Sequence, residues 1–280
     1  MNLQQLIYKI QRRLKLYVWH LLCVIKGTSI HSFRLTDGSQ FDYPFKSEVG
    51  RCLFIGAFET AETEFIRQKI KVGDIFLDIG ANAGFYTVIV SKIVGSSGHV
   101  YAFEPGEREL NLLRRNIANN NLSNVTIVER AVSNEKSTVR FAISHDGAMN
   151  SLSETNHPSQ VVQEWKMVEA TTIDDFIKDF NVTDIDFIKI DVEGAEHLVF
   201  EGAKQFLSID KSRFPTILFE SSDLTASGFG YSVSDFLQKL DSLGLRICVL
   251  DEGSNPVDII EYSKQEKIGN TIYNFIATMK

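Results

Sequence analysis

The segment Asp78–Thr87, with the sequence DIGANAGFYT, constrains the fold more than any other part of the chain. The residues before it predict a short strand over 74–77, and a helix is expected to begin directly after the turn. So sharp a turn needs positive φ angles, which Gly80 and Gly84 adopt freely and which Asn82 tolerates better than most side chains do. The segment therefore predicts a strand–turn–helix unit whose backbone a ligand can approach closely.

A second signal, an acidic residue one strand later, indicates what that ligand is. The predicted strand His99–Phe103 brings Glu104 to its carboxyl end, where a carboxylate accepts hydrogen bonds from both hydroxyls of a ribose. A dinucleotide fingerprint would need a third glycine facing a pyrophosphate, and the segment has none. Asp78 would repel a pyrophosphate but suits the ammonium group of a methionine moiety. These residues favour S-adenosylmethionine as the cofactor.

The order of predicted elements sets the fold class. From residue 72 onward strands and helices alternate, which is typical of a parallel sheet covered by helices on both faces. Near the end, 246–250 and 273–278 predict a strand pair closing one edge, on either side of a turn-rich stretch over 252–267. A polar loop over 144–160 predicts a lid or a plain surface loop. The other predicted strands are 74–77, 99–103, 125–128, 138–143, 168–172, 186–190 and 216–219, and the helices are 85–94, 107–120, 195–207 and 233–243, with a short one from 173.

Carboxylates recur at the strand ends where ligands bind in such a sheet. Besides Asp78 and Glu104, Asp191 and Glu220 occupy these positions. Alternation along the fourth strand puts Lys189 and Asp191 on one face, and a lysine inside a buried strand is costly unless it is paired. Lys189 therefore forms either a purely structural ion pair or part of the site.

Metal binding is the less favoured interpretation of this region. His197 together with Asp191 and Glu193 could ligate a cation, but we expect no metal site. If a hydroxyl is methylated, its proton must be removed as the new bond forms. Asp191 is the first choice for the base, oriented by Lys189, and Glu193 and His197 are alternatives.

Several ordered blocks of sequence resemble the FkbM family of S-adenosylmethionine-dependent methyltransferases. The resemblance covers about residues 50–250 and leaves out 1–40 and 252–267. The matching blocks are Gly56–Glu59, Asp78–Thr87, Ala102–Pro105, Asn116 with Asn119–Asn121, Ala131–Ser133, Thr172–Asp174 and Lys189–Glu196.

The resemblance implies a class I methyltransferase fold, which is Rossmann-like, with a doubly wound, mostly parallel seven-stranded sheet and an antiparallel last strand. It also implies methyl transfer, usually to an oxygen of a sugar or a polyketide. On matching positions the cofactor would be held by Asp78, Gly80, Asn82, Gly84 and Glu104, with Glu59 and Thr87 as further contacts. Lys189, Asp191 and Glu193 would face the methyl group and the acceptor. Two alternatives stay open, namely an NAD(P)-dependent oxidoreductase and a catalytically inactive nucleoside-binding subunit.

Length and charge limit the organisation and the partners. The 280 residues suit a methyltransferase domain over 41–280 with a basic helical appendage over 1–40. A net charge of −7 argues against nucleic acid as the main partner. The resemblance to the FkbM family implies a small-molecule or glycan acceptor. The three cysteines lie far apart and indicate neither a disulfide framework nor a zinc site, so we expect a reducing compartment and hence the cytoplasm.

The first 26 residues contain five cations and no acid. The apolar run Leu16–Ile25, broken by His20, is shorter than the ~20 residues of a membrane span. The segment resembles a signal peptide only in its basic start, because no convincing cleavage site follows. We expect a helix that packs on its own domain or on another subunit, with peripheral contact at the inner face of a membrane as the alternative.

Overall fold

The central feature of the molecule is an eight-stranded sheet with the order β5-β4-β3-β9-β10-β13-β11-β12. The computed structural model describes residues 3–145, 147–208, 213–251, 257–262 and 273–280, with the backbone alone over 3–10 and at 251. The sheet strands are β3 (Ile75–Ile79), β4 (His99–Phe103), β5 (Val125–Val128), β9 (Phe187–Ile190), β10 (Thr216–Ser221), β11 (Leu245–Asp251), β12 (Asp258–Glu261) and β13 (Tyr273–Met279).

This topology confirms the expected class I methyltransferase fold, but the sheet has eight strands rather than the expected seven, because β12 is added at the edge. Strands β3, β4, β5, β9 and β10 are parallel, and β13 lies antiparallel between β10 and β11. The strand pair predicted near the end of the chain is present as β11 and β13, but it does not close the edge. Instead β12 pairs with β11 there, within the stretch that we predicted to be turn-rich. An edge strand is hydrogen-bonded on one side only, and its side chains, such as the exposed Ile260, need not be buried. The sequence of β12 therefore lacks the apolar pattern by which a strand is predicted.

Two smaller sheets flank the main one. β1 (Ile30–Arg34) and β2 (Gln40–Pro44) form an antiparallel hairpin. The boundary between an appendage over 1–40 and a methyltransferase domain over 41–280 remains a prediction. A three-stranded sheet contains β6 (Ala131–Val132), β7 (Ser137–Ser144) and β8 (Val162–Thr171). The helices in the described ranges are α1 (Leu3–Lys26), α2 (Glu48–Ile55), α3 (Thr60–Lys69), α4 (Phe85–Val94), α5 (Glu107–Asn119), α6 (Ile173–Phe180), α7 (Glu196–Glu201), α8 (Asp223–Ala226) and α9 (Val233–Ser242).

The helix predicted over Ala195–Leu207 was wrong in extent, because α7 ends at Glu201. The Asp174 carboxylate accepts hydrogen bonds from the N–H groups of Gln205 and Phe206, which holds the chain in a new turn after α7. A side chain at Gly202 would also collide with the Ser133 carbonyl oxygen, 2.1 Å from its Cβ. The apolar periodicity continued across this break because the following residues still face the core.

Alternating residues of the central strands fill two cores, one on each face of the sheet. Leu77, Ile79 and Ile190 belong to one core, whereas Phe76 and Phe187 belong to the other. Helices pack on both faces, as expected for parallel strands, and the β1–β2 hairpin adds Phe33, Phe41 and Tyr43 to the second core. The carboxyl ends of the strands are thereby held in fixed register.

Asparagines within and directly after α5 attach the β1–β2 hairpin to the rest of the fold. Asn116 is completely buried, accepts a hydrogen bond from the Asp42 N–H at 2.6 Å and donates one to the Ala83 carbonyl at 2.8 Å. Asn120 makes a reciprocal pair of hydrogen bonds with the backbone of Gln40. The asparagine cluster noted in the sequence therefore links the hairpin to the turn between β3 and α4.

Candidate active site

The turn after β3 has the backbone geometry expected from its glycines. Gly80 and Gly84 have φ values of 84° and 86°, and Asn82 has a φ of 50°. A Cβ on Gly80 would lie 1.8 Å from the Asp191 carbonyl oxygen, and one on Gly84 would lie 2.4 Å from Leu113. Any side chain at either position would therefore separate elements that must touch.

Glu104 is held in one orientation by the backbone. Its Oε2 accepts the Asn82 N–H at 2.9 Å and its Oε1 accepts the Gly106 N–H at 2.7 Å. The residue is only 5% exposed, and burial together with the nearby Glu109 carboxylate raises its pKa to about 8. Each oxygen keeps a lone pair for a ligand hydroxyl, as the ribose hypothesis requires.

Asp78 lies behind the turn. One of its oxygens accepts a hydrogen bond from the Thr87 hydroxyl at 2.6 Å, and the other, Oδ1, has no partner in the described part of the chain. Burial raises the pKa of Asp78, while the opposing charge of Lys189 on the neighbouring strand lowers it. Asp78 and Thr87 are both buried, and neither reaches the cavity described below.

Lys189 is paired, and its environment extends beyond that pair. Its ammonium donates to Asp191 Oδ2 at 2.8 Å and lies 4.7 Å from the centre of the Tyr86 ring. The Tyr86 hydroxyl donates in turn to Glu59. Burial alone would lower the pKa of Lys189, but the carboxylates of Asp191, Glu59 and Asp78 raise it, so the side chain stays cationic. Burial also raises the pKa of Glu59, to about 7.

Three carboxylates meet after β9 and β10. Oxygens of Asp191, Glu193 and Glu220 lie within 4.8 Å of one another, close enough to share a cation. Burial and the charge of Asp191 raise the pKa values of Glu193 and Glu220 well above the ordinary range. The cluster makes metal binding geometrically feasible, although His197 is not part of it.

The loop that carries these acids is fixed by a buried glutamate that the sequence analysis did not single out. Glu196 Oε1 accepts the N–H groups of Val192 and Gly194 at 3.2 and 3.1 Å. Glu193 itself has a φ of 53°, and its carbonyl accepts a hydrogen bond from Ser151 at 2.8 Å. These bonds turn the chain back after the strand, so that Glu193 joins Asp191 at the cavity.

A cavity of about 260 Å³ connects the groups at the strand ends. Of the ten site residues predicted from sequence, it is lined by Glu59, Gly80, Asn82, Glu104, Lys189, Asp191 and Glu193, whereas Asp78, Gly84 and Thr87 support the wall from behind. Glu220 and Tyr86 also line it, as do Gly147, Ala148, Asn150 and Leu152 of the polar loop.

The polar loop is tied to the cavity rim. Asn82 donates to the Gly147 carbonyl at 3.0 Å, and Ser153 donates to the Gly228 carbonyl at 2.9 Å. The loop therefore forms part of the wall. His197 is outside the cavity lining, because its ring packs against Phe229 and Tyr231 with centroid distances of 5.5 and 4.2 Å.

The donor set fits a ligand with hydroxyl groups at one end and positive charge at the other. Glu104 offers acceptors for hydroxyl groups, and around Lys189 the carboxyl groups of Glu59, Asp191, Glu193 and Glu220 outnumber that ammonium. Arg130 is the other lysine or arginine in the described lining. The unpaired oxygen of Asp78 adds negative charge behind the turn. A pyrophosphate would meet repulsion here, whereas a sulfonium and an ammonium would be attracted.

Residues 78–247, more than half of the chain, match the family described as "Methyltransferase FkbM domain". A probable cobalt-precorrin-6B C(15)-methyltransferase (decarboxylating) of Saccharolobus solfataricus is 50% identical over 48 residues, which is 17% of this chain and 24% of that one. The catalytic subunit of a tRNA (adenine(58)-N(1))-methyltransferase of Yarrowia lipolytica is 30% identical over 78 residues, which is 27% of this chain and 20% of that one. The chain thus spans a quarter or less of the length of these curated relatives.

Solved structures give more extended but more distant alignments. A putative rRNA-methylase from Clostridium thermocellum aligns over 78% of this chain and 94% of its own, with 13% identity and a TM-score of 0.44. An O-methyltransferase from Bacillus cereus in complex with SAH aligns over 80% of this chain and 82% of its own, with 16% identity and a TM-score of 0.46. Similarities this distant decide nothing about the acceptor.

Proposed function

Because this chain belongs to the FkbM methyltransferase domain family and is an S-adenosylmethionine-dependent methyltransferase, we propose that it methylates a hydroxyl oxygen. The acceptor in this proposal is a sugar, a polysaccharide or another small molecule. The observation that carries it is the Asp191 carboxylate, which lines the cavity and is held by Lys189 at 2.8 Å. Because the chain belongs to a methyltransferase family, the NAD(P)-dependent oxidoreductase that the sequence analysis kept as an alternative is set aside.

The residues that would hold the cofactor are those around the turn after β3. Glu104 would accept the ribose hydroxyls, and Gly80 and Asn82 would let the ligand approach the backbone. Asp78, Gly84 and Thr87 would shape this wall, and Glu59 would add negative charge beside the positive end of the ligand. When bound, S-adenosylmethionine supplies an electrophilic methyl group on a sulfonium.

The protein's own residues then have to align the acceptor and take its proton. A hydroxyl oxygen that gains a methyl group must lose its hydrogen, and the Asp191 carboxylate, which lines the cavity, would accept it. The Lys189 ammonium fixes that carboxylate and opposes the negative charge that develops on the acceptor oxygen. Glu193, whose pKa is raised by burial, is the alternative base. The aromatic side chains of Tyr43, Phe58 and Phe141 line the cavity and would help to exclude water from the reacting groups.

We also propose that the acceptor is not a nucleic acid and that the enzyme works in the cytoplasm. The net charge of −7 and the acids of the cavity disfavour a phosphate backbone. Cys23, Cys52 and Cys248 are free thiols, which fits a reducing compartment. In the described part of the chain, no helix is both long and apolar enough to cross a bilayer.

The test is methyl transfer from radiolabelled S-adenosylmethionine to separate pools of free sugars, nucleotide sugars, polysaccharide and tRNA. We expect Asp191→Asn to lower turnover by about 10²–10⁴-fold, because it keeps shape but removes the base. Affinity for S-adenosylhomocysteine should change little. Asp179→Asn, at an exposed ion pair with Lys136, is the matched control and should behave as wild type.

Four results would contradict the proposal. Label entering tRNA but no small acceptor would reject the acceptor class. A fully active Asp191→Asn enzyme would remove Asp191 from the reaction. If that variant lost product affinity while its turnover at saturation stayed normal, Asp191 would belong to cofactor binding. An enzyme that binds S-adenosylhomocysteine but labels none of the pools would favour the inactive-subunit alternative.

A further inference from the structure

Helix α1 has two apolar faces, and the fold covers only one of them. On the inner face Trp19 is 8% exposed and stacks on Phe45 at 6.3 Å between ring centroids. Leu22 and Cys23 pack against the same core, and Lys15 donates to the Ile55 carbonyl at the end of α2. This face explains why α1 lies against α2, but it accounts for less than half of the apolar side chains that the structure describes over residues 11–26.

The outer face of α1 is a continuous apolar surface. At 100° per residue its six side chains fall within an arc of about 120°, on the side of the helix away from Trp19. They are large, and they include the most exposed apolar side chains of the described chain. The outer face consists of Leu14 (61% exposed), Tyr17 (64%), Val18 (39%), Leu21 (54%), Val24 (87%) and Ile25 (81%).

Charge identifies what covers this face. The helix carries Lys9, Arg12, Arg13, Lys15 and Lys26 and no acid, in a chain whose net charge is −7. Lys15 and Lys26 bind groups of the same chain, whereas Arg12 and Arg13 are exposed, and helical spacing puts Arg13 along one border of the outer face. Apolar side chains with an exposed cation along their border match a bilayer surface with anionic headgroups, which offers hydrocarbon and negative charge together. A second copy of α1 placed against the first would instead bring cations close to cations.

We propose that the outer face of α1 docks on an anionic membrane surface, with the helix lying in the plane of the headgroups. The helix α2, on which α1 packs, also contributes Glu48 and Val49 to the cavity wall. Docking through α1 therefore brings the cavity close to the bilayer. The docking itself is independent of which hydroxyl is methylated, so it can fail or hold separately from the proposed function.

The experiment uses the full chain with vesicles of phosphatidylcholine alone or with a quarter of phosphatidylglycerol, at low salt. We expect co-sedimentation with the anionic vesicles at least tenfold stronger than with the neutral ones. The double variant Leu21→Gln, Val24→Gln changes no charge and should lose this binding at least tenfold. Val161→Gln with Met167→Gln, which replaces two exposed apolar side chains elsewhere, is the matched control and should bind as wild type.

Affinity for S-adenosylhomocysteine serves as the folding check, because neither double variant touches the cavity lining. Equal binding to neutral and anionic vesicles would overturn the proposal, as would no binding to either. Sedimentation velocity supplies a further test. A wild-type dimer that becomes monomeric in the Leu21→Gln, Val24→Gln variant would assign the outer face to contact between two copies and reject the membrane.

Discussion

The pH dependence of ligand affinity tests Glu104 most directly. Burial and Glu109 raise its pKa to about 8, so below that pH the free protein holds this carboxyl mostly protonated. Ribose hydroxyls donate hydrogen bonds to the ionised form, so binding lowers the pKa and releases a proton. The affinity for S-adenosylhomocysteine should therefore rise with pH and level off above about 8. Each pH unit corresponds to about 1.4 kcal/mol, so the rise is at most about tenfold per unit.

The substitution Glu104→Gln separates this effect from other titrations. Both oxygens of Glu104 accept backbone N–H groups, so a glutamine must turn its NH₂ group against one of these donors. Losing a hydrogen bond to a charged group costs about 1.5–3 kcal/mol, which predicts about 10–100-fold weaker binding at pH 8. The variant should also lose the slope between pH 6 and 8, apart from the slope that the ligand's own amino group contributes.

Calorimetric titration from pH 6 to 9, in buffers of different ionisation enthalpy, measures affinity and proton release together. Glu164→Gln, at an exposed position on β8, is a matched control that should retain the wild-type slope. An affinity of the wild type that does not change with pH would refute the reasoning, and so would an equal slope in Glu104→Gln. In either case the raised pKa of Glu104 would have no part in binding.

Three further predictions concern the acceptor side of the cavity. Tyr86→Leu should lower kcat about tenfold with little change in KM, because the contact of the ring with Lys189 is worth about 1–2 kcal/mol in a desolvated site. Tyr86→Phe keeps the ring and should retain most of the activity. Equal losses of activity in both variants would assign the effect to the hydroxyl. Glu196→Ala should lower the Tm and the turnover together, since two backbone N–H groups lose their acceptor. Glu196→Gln keeps an acceptor oxygen and should restore most of the Tm and of the turnover. An unchanged Tm in the alanine variant would contradict this role of Glu196. Transfer should persist in EDTA, because Lys189 already supplies a cation to Asp191, and loss of activity that Mg²⁺ restores would instead assign a metal to the carboxylate cluster.

Local sequence patterns predicted most of the framework, because the relevant forces act between near neighbours. The strands 99–103 and 125–128 and the helix 85–94 were predicted with the bounds that the structure shows. Each is delimited by a turn residue or by a change in apolar periodicity. The early end of α7 was missed because it depends on Asp174, about thirty residues earlier, whose carboxylate binds the turn after the helix. No pattern within the helix encodes that contact.

The same distinction between local patterns and long-range contacts decides which residues of the site could be predicted. Glu104, Lys189 and Asp191 could be placed from sequence, because the carboxyl ends of parallel strands meet at one edge and alternation fixes which face each side chain takes. Tyr86 could not, since its role depends on Glu59 and Lys189, which belong to distant parts of the chain and meet only when the sheet and α4 pack together. Its apolar neighbours make it look like an ordinary core residue of α4.

The cavity has more acidic groups than cations around Lys189, and this excess affects which ligand binds. Around Lys189, burial raises the pKa values of Glu59, Glu193 and Glu220, that of Glu59 to about 7. Such an arrangement is unfavourable in the free protein unless some of the acids are protonated or a cation arrives. A ligand that carries a sulfonium and an ammonium relieves that repulsion on binding, whereas an uncharged nucleoside does not. The repulsion among these acids therefore favours the charged cofactor over an uncharged nucleoside and, once its methyl group has been transferred, favours release of a product with one positive charge fewer.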